Sequence, residues 1–264
     1  MAVFVEIINT GNELLDGRIP NSNGQWMAKR CAARGVPVRR ITMVGDRLDD
    51  LRDAIREALA RGPALLLLTG GLGPTPDDIT ARALAEALEK QLVLSREALE
   101  MLREFYGGEL TPAREKMAWL PEGARPLRNP VGAAPGILIE HGITKIVALP
   151  GVPKEMEAMF EEHVEPILAE LAGGLSRFEA RFLVYGVRES DIADFLGRLA
   201  EENPDVYVKT HPRIEDGRTY LELYVATVAP SGKEAKKRME KVIMALSEHI
   251  AGLGGSMMPY RPKG

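Results

Sequence analysis

Apolar positions along the chain follow two rhythms. Short runs, the wholly apolar 64–68 (ALLLL) and the strand-like 3–8 (VFVEII), broken only by Glu6, have the length and flanks of buried strands. Between them lie stretches whose apolar residues recur three and four apart, as at Leu51, Ala54, Ile55, Ala58 and Leu59. Read in order, the pattern predicts a strand at 3–8 and a helix from about 26, with Asn21, Ser22 and Asn23 as caps and Gly35 as its stop. A second strand covers 36–44, with Pro37 near its start where proline is tolerated. Asp46 is then the natural N-cap of the Leu51 helix. Beyond the 64–68 strand come a helix over 79–88, a strand over 91–94 and a helix from the cap Ser95 to Tyr106, closed by Gly107 and Gly108. A short helical piece at 112–119 and a turn at 120–127 lead to a hairpin, 137–140 and 144–149, around His141 and Gly142. From Pro153 to Leu171 one broad helical face carries Met156, Met159, Phe160, Val164, Ile167 and Leu168. Strands alternating with helices mean a mainly parallel sheet covered on both faces, an α/β fold.

At Gly173 and Gly174 the pattern changes. A strand at 177–185, a helix from the cap Ser190 to about Ala200, strands at 206–209 and 220–225 and a helix at 233–251 spell a small α+β (βαββα) domain. The organisation read from this is a nucleotide- or phosphate-binding domain over 1–172, the small domain over 176–252 and a loose tail over 253–264. The string Gly252-Leu253-Gly254-Gly255 follows the last helix and reads as its stop.

Composition narrows the function. With 264 residues, 45% hydrophobic and 27% charged, the chain has the make-up of a globular protein with a sizeable core. A net charge of −4 gives no reason to expect nucleic acid or a membrane surface as partner. The small domain holds no basic patch either, since residues 173–264 carry 14 Lys and Arg against 13 Asp and Glu. The single cysteine, Cys31, lies in a helical pattern and reads as a buried apolar group. The four histidines have no metal-ligand spacing, and no run is long enough for a membrane span. The expected location is the cytoplasm. Two glutamines in the whole chain agree with a thermophilic source, and eleven methionines weigh against it.

The densest chemistry is the stretch 69–80, TGGLGPTPDDIT, between a strand and a helix. Gly70, Gly71 and Gly73 permit positive φ and close approach to a ligand. Strand, glycine turn and helix start set backbone N–H groups at the carboxyl edge of a sheet, where phosphate binds. Asp77 and Asp78 add charges suited to a divalent metal, and equally suit capping of the helix. Asp46 lies at the carboxyl end of the second strand, on the same side. Glu13 and Asp16 are the acids of the loop after the first strand. The loop 128–136 (RNPVGAAPG) and the turn Pro150-Gly151-Val152-Pro153 are rigid, small-residue segments; the latter aims a second helix start, with Lys154 and Glu155, at the same place.

Six motifs stand in order: Gly11-Asn12-Glu13-Leu14-Leu15-x-Gly17, Asn23, Val44-Gly45-Asp46, Gly70-Gly71-Leu72-Gly73-Pro74-Thr75-x-Asp77-Asp78-x-Thr80, Asn129-x-x-Gly132-x-Ala134-Pro135-Gly136 and Leu149-Pro150-Gly151-Val152-Pro153-x-Glu155-Met156. Together they resemble the N-terminal part of the CinA (competence/damage-inducible) proteins, within the wider molybdopterin-binding, MoaB/MogA-like fold. The resemblance is strong over 3–171 and continues more weakly through 186–193, like the family's middle domain. It implies a three-layer α/β/α domain and a divalent-metal-dependent ADP-ribose pyrophosphatase. The family's nicotinamide-mononucleotide deamidase belongs to a further C-terminal domain, so deamidation is not expected in a 264-residue chain. Two positions depart from the family: Asn12 stands where Thr or Ser is usual, and Ala133 replaces the Thr of Gly-Thr-Ala.

The expected function is therefore metal-assisted hydrolysis of a nucleoside-diphosphate compound, ADP-ribose first. Adenylyl transfer to molybdopterin is the main alternative, and nucleotide binding without catalysis a further one. Asp78, Asp46, Asp77 and Glu13 are the expected catalytic acids, and Asp46, Asp77 and Asp78 the expected ligands of a divalent metal, Mg²⁺ or else Mn²⁺ or Co²⁺. Gly11, Asn12, Gly70, Gly71, Gly73, Thr75, Asn129, Gly132, Pro135, Gly136, Pro150 and Gly151 are expected to form the ligand site. The ligand is a small nucleotide or pterin, with neither nucleic acid nor membrane as partner, and a homo-oligomer, a dimer first, is expected.

Overall fold

Leucines at four successive positions, Leu65 to Leu68, are all buried, and a strand explains why. Successive side chains point to opposite faces, so a run buried at every position needs cover on both sides. The computed structural model, which describes residues 3–215 and 218–260, supplies it. The chain divides into two compact units, residues 1–32 with 36–173, and 33–35 with 174–264.

In the first unit the elements run β1 (Val5–Thr10), α1 (Asn12–Leu15), α2 (Ser22–Ala33), β2 (Val38–Val44), α3 (Leu48–Ala60), β3 (Leu65–Thr69), α4 (Thr80–Ala87), β4 (Leu92–Leu94) and α5 (Arg96–Tyr106). Then follow α6 (Pro112–Glu115), β5 (Trp119–Pro121), β6 (Arg125–Leu127), β7 (Gly136–His141), β8 (Thr144–Leu149), α7 (Pro153–Met159) and α8 (Glu165–Ala172). Six strands form one sheet in the order β2-β1-β3-β8-β7-β6. The first four are parallel; β7 and β6 are antiparallel additions.

Alternation sorts the core into two layers. Ile8, Leu66, Leu68, Ile146 and Ala148 face Leu51, Ile55, Leu84 and Leu102 of α3, α4 and α5. Val5, Ile7, Leu65, Leu67, Val147 and Leu149 face Met27 and Cys31 of α2 and Met156, Met159, Phe160 and Leu168 of the last helices. The unit is a three-layer α/β/α sandwich with a mainly parallel sheet.

Several local expectations change. The helix expected over 153–171 is interrupted by a π-helical segment at Phe160–Val164, which divides α7 from α8 ahead of Pro166. Strand β4 leaves the main sheet and pairs with β5 in a two-stranded ribbon, so 120–127 is not only a turn. These pieces are three residues long and carry no alternation to read.

The second unit contains β9 (Ser176–Tyr185), α9 (Glu189–Glu202), β10 (Val206–Glu215), β11 (Arg218–Ala229), α10 (Gly232–Gly252) and β12 (Ser256–Pro259). Its antiparallel sheet runs β10-β11-β9-β12. Ile192 and Leu199 of α9 and Met239, Val242, Leu246 and Ile250 of α10 share a core with Phe182, Val184, Leu221 and Leu223. The tail expected from 253 holds a strand, because Ser256–Pro259 pairs with Phe182–Tyr185; residues 261–264 of that expected tail lie outside the described residues. Ser190 is not the cap of α9. Arg188 occupies that position and the Asp191 carboxylate accepts its backbone N–H at 2.9 Å.

Candidate active site

The carboxyl ends of the parallel strands finish level with one another. Thr10 pairs with Val44, Asn9 with Thr69, and Thr69 with Leu149. The loops at 11–13, 45–46, 70–78 and 150–152 therefore leave one edge of the sheet together. From β1 the chain runs first to β2 on one side and later to β3 on the other. The crevice at such a reversal is where open α/β sheets bind ligands.

The glycine turn is fitted to that crevice. Gly70 has φ +100°, and a Cβ there would lie 2.4 Å from the Thr10 carbonyl oxygen. Gly71 has φ +66°, and a Cβ would meet Thr80 Oγ1 at 2.5 Å. The turn is pinned from both sides: Gly70 N–H donates to Leu149 O at 3.0 Å, and Thr80 Oγ1 donates to Gly70 O at 2.7 Å. Asn23 Nδ2 donates to Gly151 O at 2.8 Å, and Thr69 Oγ1 donates to Pro150 O at 2.8 Å, fixing the neighbouring turn.

These loops enclose a cleft of about 500 Å³. Gly11, Glu13, Asp46, Gly70, Gly71, Gly73, Asp77, Asp78, Pro150 and Gly151 line it. Ten of the sixteen expected site residues are thus brought together. Tyr106 at the end of α5, Met117 and Thr10 line it too, and no motif marks them as site residues. Leu72, Ala133, Ala134, Val152 and Glu155 complete much of the wall.

The other six act behind the wall or away from it. Asn12 braces Asp46. Thr75 N–H and Oγ1 both donate to Asp78 Oδ2, at 2.8 and 2.6 Å, and Lys116 Nζ donates to the Thr75 carbonyl. Asn129 Oδ1 accepts from Val131 N and Gly132 N, while its Nδ2 donates to Ala134 O and to Glu155 Oε2 at 2.7 Å. Asn129 therefore shapes the 129–134 loop and holds Glu155, with Gly132 leaving room: a Cβ there would lie 2.3 Å from the Glu155 carboxyl carbon. Gly136 starts β7 beneath Met159, and Pro135 is buried.

Both capping expectations for the acids fail. The cap position of α4 is Ile79 and that of α3 is Arg47, neither with a side-chain cap bond. Asp78 is instead bonded back into its own turn, Asp46 is bonded to the 11–13 loop, and exposed Asp77 stands on the cleft wall. Among the described residues no three His, Cys, Asp or Glu converge as a ready-made metal site, so Asp46, Asp77 and Asp78 are not a preassembled ligand set. Five carboxylates line the cleft (Glu13, Asp46, Asp77, Asp78 and Glu155), and none of its described lining residues is Lys or Arg.

The chain belongs to the family described as "Probable molybdopterin binding domain", whose model matches residues 6–170. It is 46% identical to a protein of Pyrobaculum aerophilum over 248 residues, 92% of this chain and 93% of that one. It is 45% identical to a protein of Pyrobaculum calidifontis over 249 residues, 92% and 94% of the two chains. Among solved structures it is similar to the protein CinA, of unknown function, from Thermoplasma acidophilum. That match has 41% identity and a TM-score of 0.61, and covers 63% of this chain and 98% of that one. Among the described residues no helix is long and apolar enough to cross a membrane.

Proposed function

We propose that the cleft binds a phosphorylated pterin together with a nucleotide and transfers an adenylyl group between them. A pterin phosphate oxygen attacks the α-phosphorus of ATP, one P–O bond forms, the bond to pyrophosphate breaks, and pyrophosphate leaves. The observation that carries this reading is the pairing of a positive-φ glycine turn with five carboxylates in one cleft, within a domain matched as molybdopterin-binding. The turn receives phosphate oxygens on backbone N–H groups.

So many acids beside a phosphate repel it unless a cation lies between. Mg²⁺ is held by one or two carboxylates plus substrate phosphates, so two cleft carboxylates are enough for it. Asp77 and the Asp78 Oδ1 left free by Thr75 would hold the ion, which supplies neutralisation of phosphate charge. Asp46 and Glu13, which also line the cleft, would orient the attacking oxygen.

What the six CinA-like motifs imply favours a second reading at the same atoms, with water as nucleophile and ADP-ribose as substrate, giving AMP and ribose phosphate. One experiment separates them. The protein is incubated with ATP and molybdopterin, or with ADP-ribose, each with and without Mg²⁺, Mn²⁺ or Co²⁺, and products are resolved by chromatography. Adenylylated pterin with pyrophosphate supports the first reading and AMP from ADP-ribose the second. Ligand binding with neither product overturns catalysis altogether.

A further inference from the structure

The second unit has both its helices on one face of its sheet. Phe182, Val184, Leu221, Leu223 and Val225 are buried against α9 and α10. Alternation sends their chain neighbours to the opposite face, which no helix of this unit covers among the described residues. Four tyrosines stand on that open face: Tyr185, Tyr207, Tyr220 and Tyr224. Their rings fall into two pairs, Tyr185 with Tyr220 at 5.6 Å between centroids and Tyr207 with Tyr224 at 6.2 Å. None is buried, and Tyr207 is 54% exposed. Strand propensity favours tyrosine, but it does not set tyrosines among cations.

The cations are there by register. Arg181 of β9 and Lys209 of β10 stand on either side of Tyr224, and Arg213 stands opposite Tyr220. The guanidinium carbons of Arg177 and Arg181 lie 5.7 and 5.4 Å from the Tyr224 ring centroid. Against Arg177, Arg181, Lys209 and Arg213 the described side chains of this face set two acids, Glu179 and Glu222. Both acids are already engaged, Glu222 with Arg181 and Arg213, and Glu179 with Arg181. Exposed Lys209 and His211 make no ion pair among the described residues. Residues 173–264 carry an almost even count, 14 Lys and Arg against 13 Asp and Glu, and the sheet sorts it.

We propose that this open face binds single-stranded nucleic acid, with bases stacked on the tyrosines and phosphates met by Arg181, Lys209 and Arg213. Aromatic rings beside cations hold unpaired bases without reading their sequence. Four strands backed by two helices are a layering that single-strand readers use. A duplex hides the faces of its bases, so the rings gain little from it. A second copy of this chain would set the same cation excess against itself. The expectation of no nucleic-acid partner rests on total charge, which is blind to this placement. The face is independent of the cleft and of the proposed function.

The test is fluorescence anisotropy on the full chain at low salt. The probes are labelled oligouridylate and oligothymidylate of about ten nucleotides, and a duplex of about the same length. At least one single strand is expected to bind ten-fold or more tighter than the duplex. A preference between the two identifies RNA or DNA as the source, and equal affinity means that either serves. Tyr207→Ala should lose about ten-fold for the single strand. Lys209→Gln should lower the slope of log affinity against log salt by about 0.7. Both variants should keep the native circular dichroism spectrum and the native affinity for AMP with Mg²⁺. Absence of binding, duplex bound as tightly as single strand, or single-strand binding unchanged in both variants overturns the proposal. So does a native dimer that Tyr207→Ala dissociates in sedimentation equilibrium, because a second copy then covers the face.

Discussion

Asn12 and Asp46 clasp each other: the Asn12 backbone N–H donates to Asp46 Oδ2 at 3.0 Å, and the Asp46 backbone N–H donates to Asn12 Oδ1 at 3.1 Å. The pair joins the loop after β1 to the loop after β2, across 34 positions of sequence. Gly45 makes room for it, since a Cβ there would lie 2.7 Å from Asn12 Oδ1. The departure at position 12 thus has a physical use. An amide supplies the acceptor for Asp46 N–H, so Asn12 positions an acid of the cleft. Asn12→Ala should lower kcat about ten-fold, a barrier change of about 1.4 kcal/mol. It should cost about 1 kcal/mol of stability, as for one lost hydrogen bond near the surface. Asn12→Ser, which restores a short acceptor, should recover part of the rate. Steady-state kinetics beside thermal melts check this, and an unchanged kcat in Asn12→Ala would remove Asn12 from the site.

The acid-rich cleft sets a second expectation. With no three-acid cluster among the described residues, Mg²⁺ alone should barely raise the melting temperature. Mg²⁺ with AMP should raise it clearly, because the phosphate completes the coordination. Chelation by EDTA should weaken AMP binding at least ten-fold, about 1.4 kcal/mol. Asp77→Asn, a change at an exposed residue, should reduce the dependence on Mg²⁺ and leave the melting temperature within about 1 °C. AMP affinity that is equal with and without the metal would contradict the carboxylate–phosphate bridge.

Asp78 needs a more careful substitution than a truncation. Its Oδ2 receives both the N–H and the hydroxyl of Thr75, so Asp78→Ala opens the turn as well as removing the acid. Asp78→Asn retains one acceptor at the same place. Turnover should be lost in both, by about a hundred-fold or more, while Asp78→Asn should hold its melting temperature better than Asp78→Ala. Kinetics and melts on the two proteins side by side give the answer.

What the sequence made legible was the part encoded locally. The apolar runs of β1, β3 and β8 and the strand–glycine–helix order gave the α/β unit and placed Gly70, Gly71, Gly73, Asp77 and Asp78 at its edge. Asp46 followed from lying at the end of β2. What stayed hidden was set by contacts distant in sequence. Tyr106 reaches the cleft from the last position of α5 and Met117 from the short 3₁₀ turn before β5, and no pattern in either segment marks it as a wall. The role of Asn129 as a brace for Glu155 depends on a partner 26 positions away. The π-helical segment and β12 were missed because each is short and stabilised by neighbours outside it.

The buried ion pair at the amino end of β1 gives a stability prediction independent of the site. Arg61 Nε and a terminal guanidinium nitrogen donate to the two Glu6 carboxylate oxygens, both at 2.8 Å. The Glu6 side chain is 3% exposed and Arg61 30%. Removing the arginine strands a carboxylate inside the sheet, which costs about 3 kcal/mol. Arg61→Ala should lose that much in denaturant unfolding, and adding Glu6→Gln to it should restore at least half. If the double variant is no more stable than Arg61→Ala, the loss comes from the missing arginine stem instead of the stranded charge.

Cys31 gives the pH dependence. It is fully buried on α2 among Met27, Val36 and Phe160, and that burial, with the charge of Glu165 adding, pushes its thiol up from 9.0 to about 12. The unfolded chain ionises near 9, so between about pH 9 and 12 the folded state holds a proton that the unfolded state has released. Stability from this group is complete below pH 9 and falls as pH rises, by about 1.4 kcal/mol per pH unit. Urea unfolding from pH 8 to 11 should therefore fall more steeply for the native chain than for Cys31→Ala, even though the alanine variant starts lower because of the space it leaves. In the folded protein at pH 8 the thiol should resist thiol-specific reagents and react only on unfolding. Equal slopes for the two proteins would mean that Cys31 ionises where it stands, and rapid labelling of the native chain would mean that α2 opens far more often than its packing implies.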